Sequence, residues 1–487
     1  MAASAMVKKW GHDKATITLV ESSEIGIVGV GEGSTPRLKQ FFDNLDIHEA
    51  EWMPRCNGSY KNGISFVDWS TKPGFGKYFH PFFSYLDNKT QGAFFYNSLA
   101  RRKGLNLDGH PDKYFLTAHL TENNLGPIPN HNFPFEVDYG YHFDSYLLGD
   151  FLRERAIAQG VKCIDARIEH VIQNDDASIA RLISKCGLEI EGDFFIDCSG
   201  FRAELIQKTL KVPFISFQNN LFNDAAIVLP TDRNKELNSQ TISTALKYGW
   251  AWDIPLQNRT GNGYVYCSSF CTADQAEIEF RQHLGLAESD TEARHLNIKV
   301  GRVERHWHSN CLALGLSQGF IEPLEATALN LVANTIDDFM ASFEAGGFGS
   351  SQRDAFNQRV NSGFETVRDY IVAHYILNSR NDTEYWRANG ENTHMSDALK
   401  SILHCWYNGL NLGQEIERQK IPTSYAATSW YCLLGGYGIY PDPDKLRAAT
   451  PEENKFEPAA INNFIERCAL NFETHNNLLK QLDILDK

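Results

Sequence analysis

The chain has 487 residues, with 46 Lys and Arg against 61 Asp and Glu, for a formal net charge of −15. That balance argues against nucleic acid or an anionic membrane as partner, because both are gripped by clustered cations. Hydrophobic content of 42% with 22% charged residues is that of a globular protein too long for one simple core, and no apolar run is long enough to span a bilayer.

No secretory signal opens the chain, so a reducing, cytoplasmic setting is expected. The ten Cys sit singly, as at Cys163, Cys198, Cys311 and Cys432, and read as small buried thiols rather than a disulfide framework. Cys267 and Cys271 have no matching pair, and His306 and His308 have no third ligand, so no metal site is expected.

In chain order, residues 2–10 read as a helix and 15–21 as a strand ending on Glu21. A glycine-rich loop covers 25–33, and a strand spans 59–69 around Ile64 and Phe66. Residues 70–135, rich in Pro, Gly, Asn and aromatics, read as irregular structure. A helix is expected over 146–159 with Leu147, Leu148, Phe151 and Leu152 on its apolar side, and strands at 161–171 and 193–198. Antiparallel strands follow over 240–270. From about 325 helical spacing dominates, as at Leu329, Val332, Ala333 and Ile336.

Three local patterns carry chemistry. A strand ending in Glu21 offers a carboxylate to a ribose diol, as the second strand of a dinucleotide-binding fold does. The run Asp193 to Asp197 enters a small-residue turn, Cys198-Ser-Gly200, where backbone approaches a ligand closely. Residues Gly249-Trp-Ala-Trp-Asp-Ile-Pro255 place the indoles of Trp250 and Trp252 on one face of an extended segment, and Pro255 ends it. By geometry alone this is an aromatic pair in a sheet.

As a string, G-W-x-W-x-I-P resembles a signature of the flavin-dependent halogenases, the tryptophan halogenase family. Tyr141-His-Phe-Asp144, Gly301-Arg302, Trp307, Asn310-Cys311 and Gly319-Phe-Ile-Glu-Pro-Leu-Glu325 follow in that family's order. The resemblance runs from residue 1 to about 345 and more loosely beyond. It implies an α/β, Rossmann-type FAD-binding monooxygenase-like fold with an inserted β-sheet and a helical C-terminal lobe. The expected division is a body over 1–345, with the inserted sheet at about 215–300, and a substrate-side lobe over 346–487.

The resemblance also implies roles. FAD would be contacted by Glu21, by the strap Gly29, Val30, Gly31, Glu32 and Gly33, and by Ile168, Asp197, Leu316 and Leu329. Halide would bind the amides of Thr327 and Ala328 at a helix N-terminus. There the family usually has Ser-Thr-Gly where this chain has Ala326-Thr327-Ala328. Reduced FAD and oxygen would turn halide into hypohalous acid. Lys61 would pass it to an electron-rich aromatic substrate, either as an ammonium hydrogen-bond donor or as an amine forming a haloamine, and Glu325 would assist. Trp250 and Trp252 would stand as a barrier between flavin and substrate. His80, Phe82 and Trp430 would contact the substrate. A separate flavin reductase is the expected functional partner, since no second nucleotide fingerprint is present. An aromatic hydroxylase of the same fold and an inactive flavoprotein relative are the alternatives.

The family opens with a strand and a G-x-G-x-x-G turn that cradles the FAD pyrophosphate. Met1 to Trp10 resembles the helix after that turn. Weak FAD retention is therefore expected, together with two strands lacking a central partner.

Overall fold

The computed structural model describes residues 1–25, 31–420 and 425–485, without the side chains of 483–485. Two parallel ladders mark a Rossmann-type α/β side: Thr18–Glu21 beside Lys162–Asp165, and Phe195–Asp197 beside Cys311–Ala313. The helices Ala2–Lys14 and Ser145–Ala158 pack near the first ladder through Val7, Ala156 and Val161, with Leu19 against them. Among the described residues the two ladders belong to separate sheets, and Thr18–Glu21 and Phe195–Asp197 each keep one unpaired edge.

A seven-stranded sheet forms the second body. Its order is Arg294–Asn297, Ala225–Asp232, Arg259–Tyr266, Gly249–Pro255, Thr241–Ala245, Gly63–Val67 and Lys77–Pro81. The expected insert supplies the first five strands, and the last two come from earlier in the chain. Thr241–Ala245 runs parallel to Gly63–Val67, which brings the segment after Lys61 against the double-Trp strand's neighbour. A three-stranded sheet, Glu32–Gly33 with Gly140–Phe143 and Ser59–Lys61, ties the strap to the lysine.

The C-terminal part is mainly helical, led by Ala328–Ala345 and the 24-residue helix Arg353–Ile376. Among the described residues no helix is long and apolar enough to cross a membrane. The segment 70–135 departs from its irregular reading, for it holds the strand Lys77–Pro81 and the helices Gln91–Arg102 and Leu116–Glu122. Its Pro and Gly residues had masked short apolar faces that pay off only against the rest of the molecule. In Ser145–Ala158, Leu148, Phe151 and Leu152 are buried but Leu147 faces outward, and Cys198 is exposed rather than buried.

Candidate active site

Lys61 ends the strand Ser59–Lys61 and is wholly buried, with no hydrogen-bond partner for its Nζ among the described residues. The amine stands 5.6 Å from the centre of the Phe82 ring. It packs against the strap, where a Cβ added to Gly33 would lie 3.1 Å from Nζ. Glycine there leaves the lysine its room. Burial pushes Lys61 down to about 7, against the upward pull of Glu325 and then Glu32. Burial likewise lifts Glu32 to about 7, opposed by Lys61. His142 faces the same cluster. It is fully buried, meets Ser59 Oγ at 3.2 Å and Thr241 Oγ1 at 2.9 Å, and burial followed by the Lys61 charge keeps it well below the usual imidazole range.

Glu325 is buried between two imidazoles: His80 Nδ1 lies 2.9 Å from Oε2 and His374 Nε2 lies 2.9 Å from Oε1. The far nitrogen of His374 is 2.8 Å from the Tyr437 hydroxyl. Burial acts to raise the Glu325 carboxyl, but His80 and His374 outweigh it and hold it at about 2, so it is an anion at neutral pH. His374 lies 49 positions from Glu325 and belongs to no motif in the sequence. Only the packing of Arg353–Ile376 against the turn brings them together.

The residue after Glu325 changes the backbone. Ala326 adopts φ 54°, ψ 33°, and Thr327 follows at φ −87°, ψ −6° before the helix Ala328–Ala345 begins. A left-handed residue followed by a right-handed one turns successive amides inward as an anion-binding nest. The 18-residue helix behind it adds its positive end. The Ala326 amide is spent on the Pro323 carbonyl, while those of Thr327 and Ala328 have no backbone acceptor among the described residues. An alanine in this conformation is strained, and such strain gathers at functional sites.

Trp250 and Trp252 share a face as expected, with ring centroids 5.9 Å apart. Opposite Trp252 in the ladder stands Gly263, where an added Cβ would come 2.0 Å from the indole. Trp250 donates its indole N–H to the buried Glu322, a contact that the sequence pattern does not reveal.

Of the expected substrate residues, Phe82 lies beside Lys61. His80 turns its imidazole to Glu325 rather than standing free as a wall. Trp430 is buried with its ring edge-on to Tyr370, at 4.8 Å, and His80 stacks on the same Tyr370 at 6.0 Å. Tyr425 lies flat on Tyr370 at 3.9 Å. An aromatic cluster centred on Tyr370 therefore joins His80 to Trp430.

The residues for a flavin dinucleotide fit the group at several points. Glu21 ends its parallel strand partly exposed, as a ribose acceptor must, with Arg153 3.2 Å from one oxygen. Gly31 has φ 93°, a conformation that favours glycine, and Arg259 lies beneath it with Nη1 unpartnered among the described residues. Thr35 precedes a helix with Pro36 at its first position, as the strap pattern requires. Asp197 is buried and its carboxylate is spent on its own turn, accepting from the Ser199 amide and hydroxyl and from the Leu205 and Ile206 amides. It shapes the turn and has little left for a ligand. Leu316 follows the parallel strand Cys311–Ala313 in a short 3₁₀ turn, Leu329 sits in the first turn of Ala328–Ala345, and Ile168 opens the strand Ile168–Gln173. Gly29 and Val30 lie outside the described residues.

Comparison with known proteins gives a consistent result. A family model described as tryptophan halogenase matches residues 1–452. Tryptophan 6-halogenase SttH of Streptomyces toxytricini is 35% identical over 95% of this chain and 92% of the relative. Tryptophan 7-halogenase RebH of Lentzea aerocolonigenes is 30% identical over 92% of this chain and 89% of its own. Among solved structures, BrvH, a flavin-dependent halogenase from Brevundimonas, superposes with a TM-score of 0.81 at 30% identity, covering 99% of this chain and 96% of the other.

Proposed function

The chain belongs to the tryptophan halogenase family, and on that premise we propose that it halogenates an electron-rich aromatic ring by way of Lys61. One observation carries the reading. A lysine with no exposed surface and no hydrogen-bond partner among the described residues shares its surroundings with Glu325, an anion held by two histidines, at the foot of an anion nest. An unpaired buried amine is costly in a fold and pays only as a reactive group.

With reduced FAD bound, supplied by a separate reductase, dioxygen would be the oxidant that takes electrons from flavin and halide together and yields hypohalous acid and water. The chain's residues do the rest. The Thr327 and Ala328 amides hold the halide. Trp250 and Trp252 keep the arene away from the flavin. Lys61, lowered to about 7, offers a free amine at neutral pH. That amine takes the halogen from hypohalous acid: an N–X bond forms, the X–O bond breaks, and the amine proton leaves with the oxygen as water. The ring then takes the halogen from nitrogen and loses a proton, and Lys61 recovers its N–H. Glu325 steadies the cationic ring before that proton leaves, while Phe82 and the cluster around Tyr370 and Trp430 hold the arene. Residues 1–345 form the flavin body in this reading and 346–487 the substrate-side lobe.

Reconstitution with FAD, a flavin reductase, chloride or bromide and a panel of arenes including tryptophan, followed by mass spectrometry, tests this. A product bearing halogen is expected. A product bearing only oxygen would assign the chain to aromatic hydroxylation, and flavin oxidation with no product from any arene would overturn the reading.

A further inference from the structure

Glu322 stands three residues before Glu325 and has a different fate. It has no exposed surface, and one of its oxygens, Oε2, receives three donors: the Trp250 indole N–H at 3.0 Å, the Asn223 amide at 2.9 Å and the Tyr375 hydroxyl. Oε1 has no partner. Asn223 is held in turn by the Tyr385 hydroxyl, 3.0 Å from its Oδ1. Every member of this group is buried.

The connectivity is what matters. Glu322 opens, and Glu325 closes, the short turn Pro323–Glu325 that leads into the left-handed Ala326 and the nest. Two consecutive residues of the helix Arg353–Ile376 hold the two carboxylates: Tyr375 bonds Glu322 and His374 bonds Glu325. The same Glu322 oxygen is bonded to the double-Trp strand through Trp250. One carboxylate thus fastens the wall, the nest-bearing turn and the helix behind Glu325 at a single point.

We propose that Glu322 is a positioning residue that sets the halide nest and the Trp250 wall relative to each other. The proposal rests on the halogenase reading for its functional effect. The joint itself is a property of the protein without flavin. Removing the acceptor takes from the Trp250 indole N–H and the Tyr375 hydroxyl their buried partner, leaves Asn223 only its bond to the Tyr375 hydroxyl at 2.9 Å, and frees the start of the turn, while the His374–Glu325 bond remains.

The test compares Glu322→Ala with Glu322→Gln. Alanine is expected to raise the halide KM several-fold and to lower, by a similar factor, the halogenated product formed per reduced flavin oxidised. The pH profile keeps its midpoint, since Lys61 and Glu325 are untouched. Glutamine keeps an acceptor oxygen for the same donors and is expected to recover most of both losses. Wild-type halide KM and yield in Glu322→Ala would overturn the proposal, as would damage by glutamine equal to that by alanine.

Hydrogen exchange on the purified protein, without added flavin, supplies a readout that does not depend on activity. Peptides over 249–256 and 319–328 are expected to exchange faster in Glu322→Ala and to return toward wild type in Glu322→Gln. Unchanged exchange would overturn the joint even if the wild-type protein halogenates. Faster exchange in a protein that halogenates nothing would keep the joint and remove only the catalytic reading. If alanine prevents folding, Tyr375→Phe removes one donor to Glu322, with the hydroxyl that accepts from Asn223, and leaves the carboxylate in place. It must move exchange and halide KM in the same direction, and wild-type values for both would overturn the proposal.

Discussion

The Nζ of Lys61 stands 5.6 Å from the centre of the Phe82 ring and has no hydrogen-bond partner among the described residues, although the residue is fully buried. If this amine carries the halogen, Lys61→Ala should keep reduced-flavin oxidation and lose halogenation by roughly 10²-fold or more. Lys61→Arg should not restore it, because a guanidinium stays protonated. Single-turnover product analysis with preformed reduced FAD checks both.

The same burial implies a cost to the fold. Replacing the unpaired amine by an apolar side chain of similar length, Lys61→Met, should stabilise the protein by about 1–3 kcal/mol at neutral pH while abolishing halogenation. The pH dependence of that gain has a definite sign. The folded value is near 7, below the unfolded lysine value of about 10.4, so the unfolded chain binds more protons between them. Wild-type stability therefore rises over that window relative to the variant, and the advantage of Lys61→Met shrinks. Chemical denaturation at several pH values measures it.

Halogenation should rise with pH through about 7 as the Lys61 amine is freed. Glu32 raises the lysine value, so Glu32→Gln should move the midpoint downward. A rate that falls through the same range would assign the ammonium, acting by hydrogen bonding, as the reactive form.

His374→Phe takes one of two imidazoles from Glu325 and leaves the Tyr437 hydroxyl without its partner. The Glu325 carboxyl should then rise from about 2, so the folded variant takes up this proton at a higher pH than wild type does. Carboxylate titration followed by infrared difference spectroscopy, with circular dichroism to confirm the fold, checks it.

Gly263→Ala places a methyl 2.0 Å from the Trp252 indole. Overpacking of this kind costs about 1–3 kcal/mol. The displaced indole should lower the halogenated product per flavin oxidised by more than it lowers flavin oxidation.

Much of this was legible in the residues. Alternation in a strand dictates that Trp250 and Trp252 share a face, and the structure shows the two rings 5.9 Å apart. Pro36 marks a helix start wherever it occurs after such a loop. What could not be read depended on distant packing. His374 and Tyr375 look like any aromatic pair in a buried helix, and nothing local says that each meets a different glutamate. Nothing local to His80 names Glu325 as its partner, 245 positions away. Asp197 reads as a ligand carboxylate until its own turn is seen to occupy it. The segment 70–135 misled because turn residues dominate its composition, while its strand Lys77–Pro81 is stabilised by pairing with Gly63–Val67.

The sealing of Lys61 has a bearing on how the protein must move. A side chain with no surface open to a water-sized probe is out of reach of hypohalous acid, which is larger than water. If Lys61 carries the halogen, each turnover requires neighbouring side chains to part. Amine-selective acylating reagents report on that parting directly: surface lysines react at once, whereas Lys61 reacts only as often as the enclosure opens, so its labelling rate is a clock for access that can be read without any halogen present.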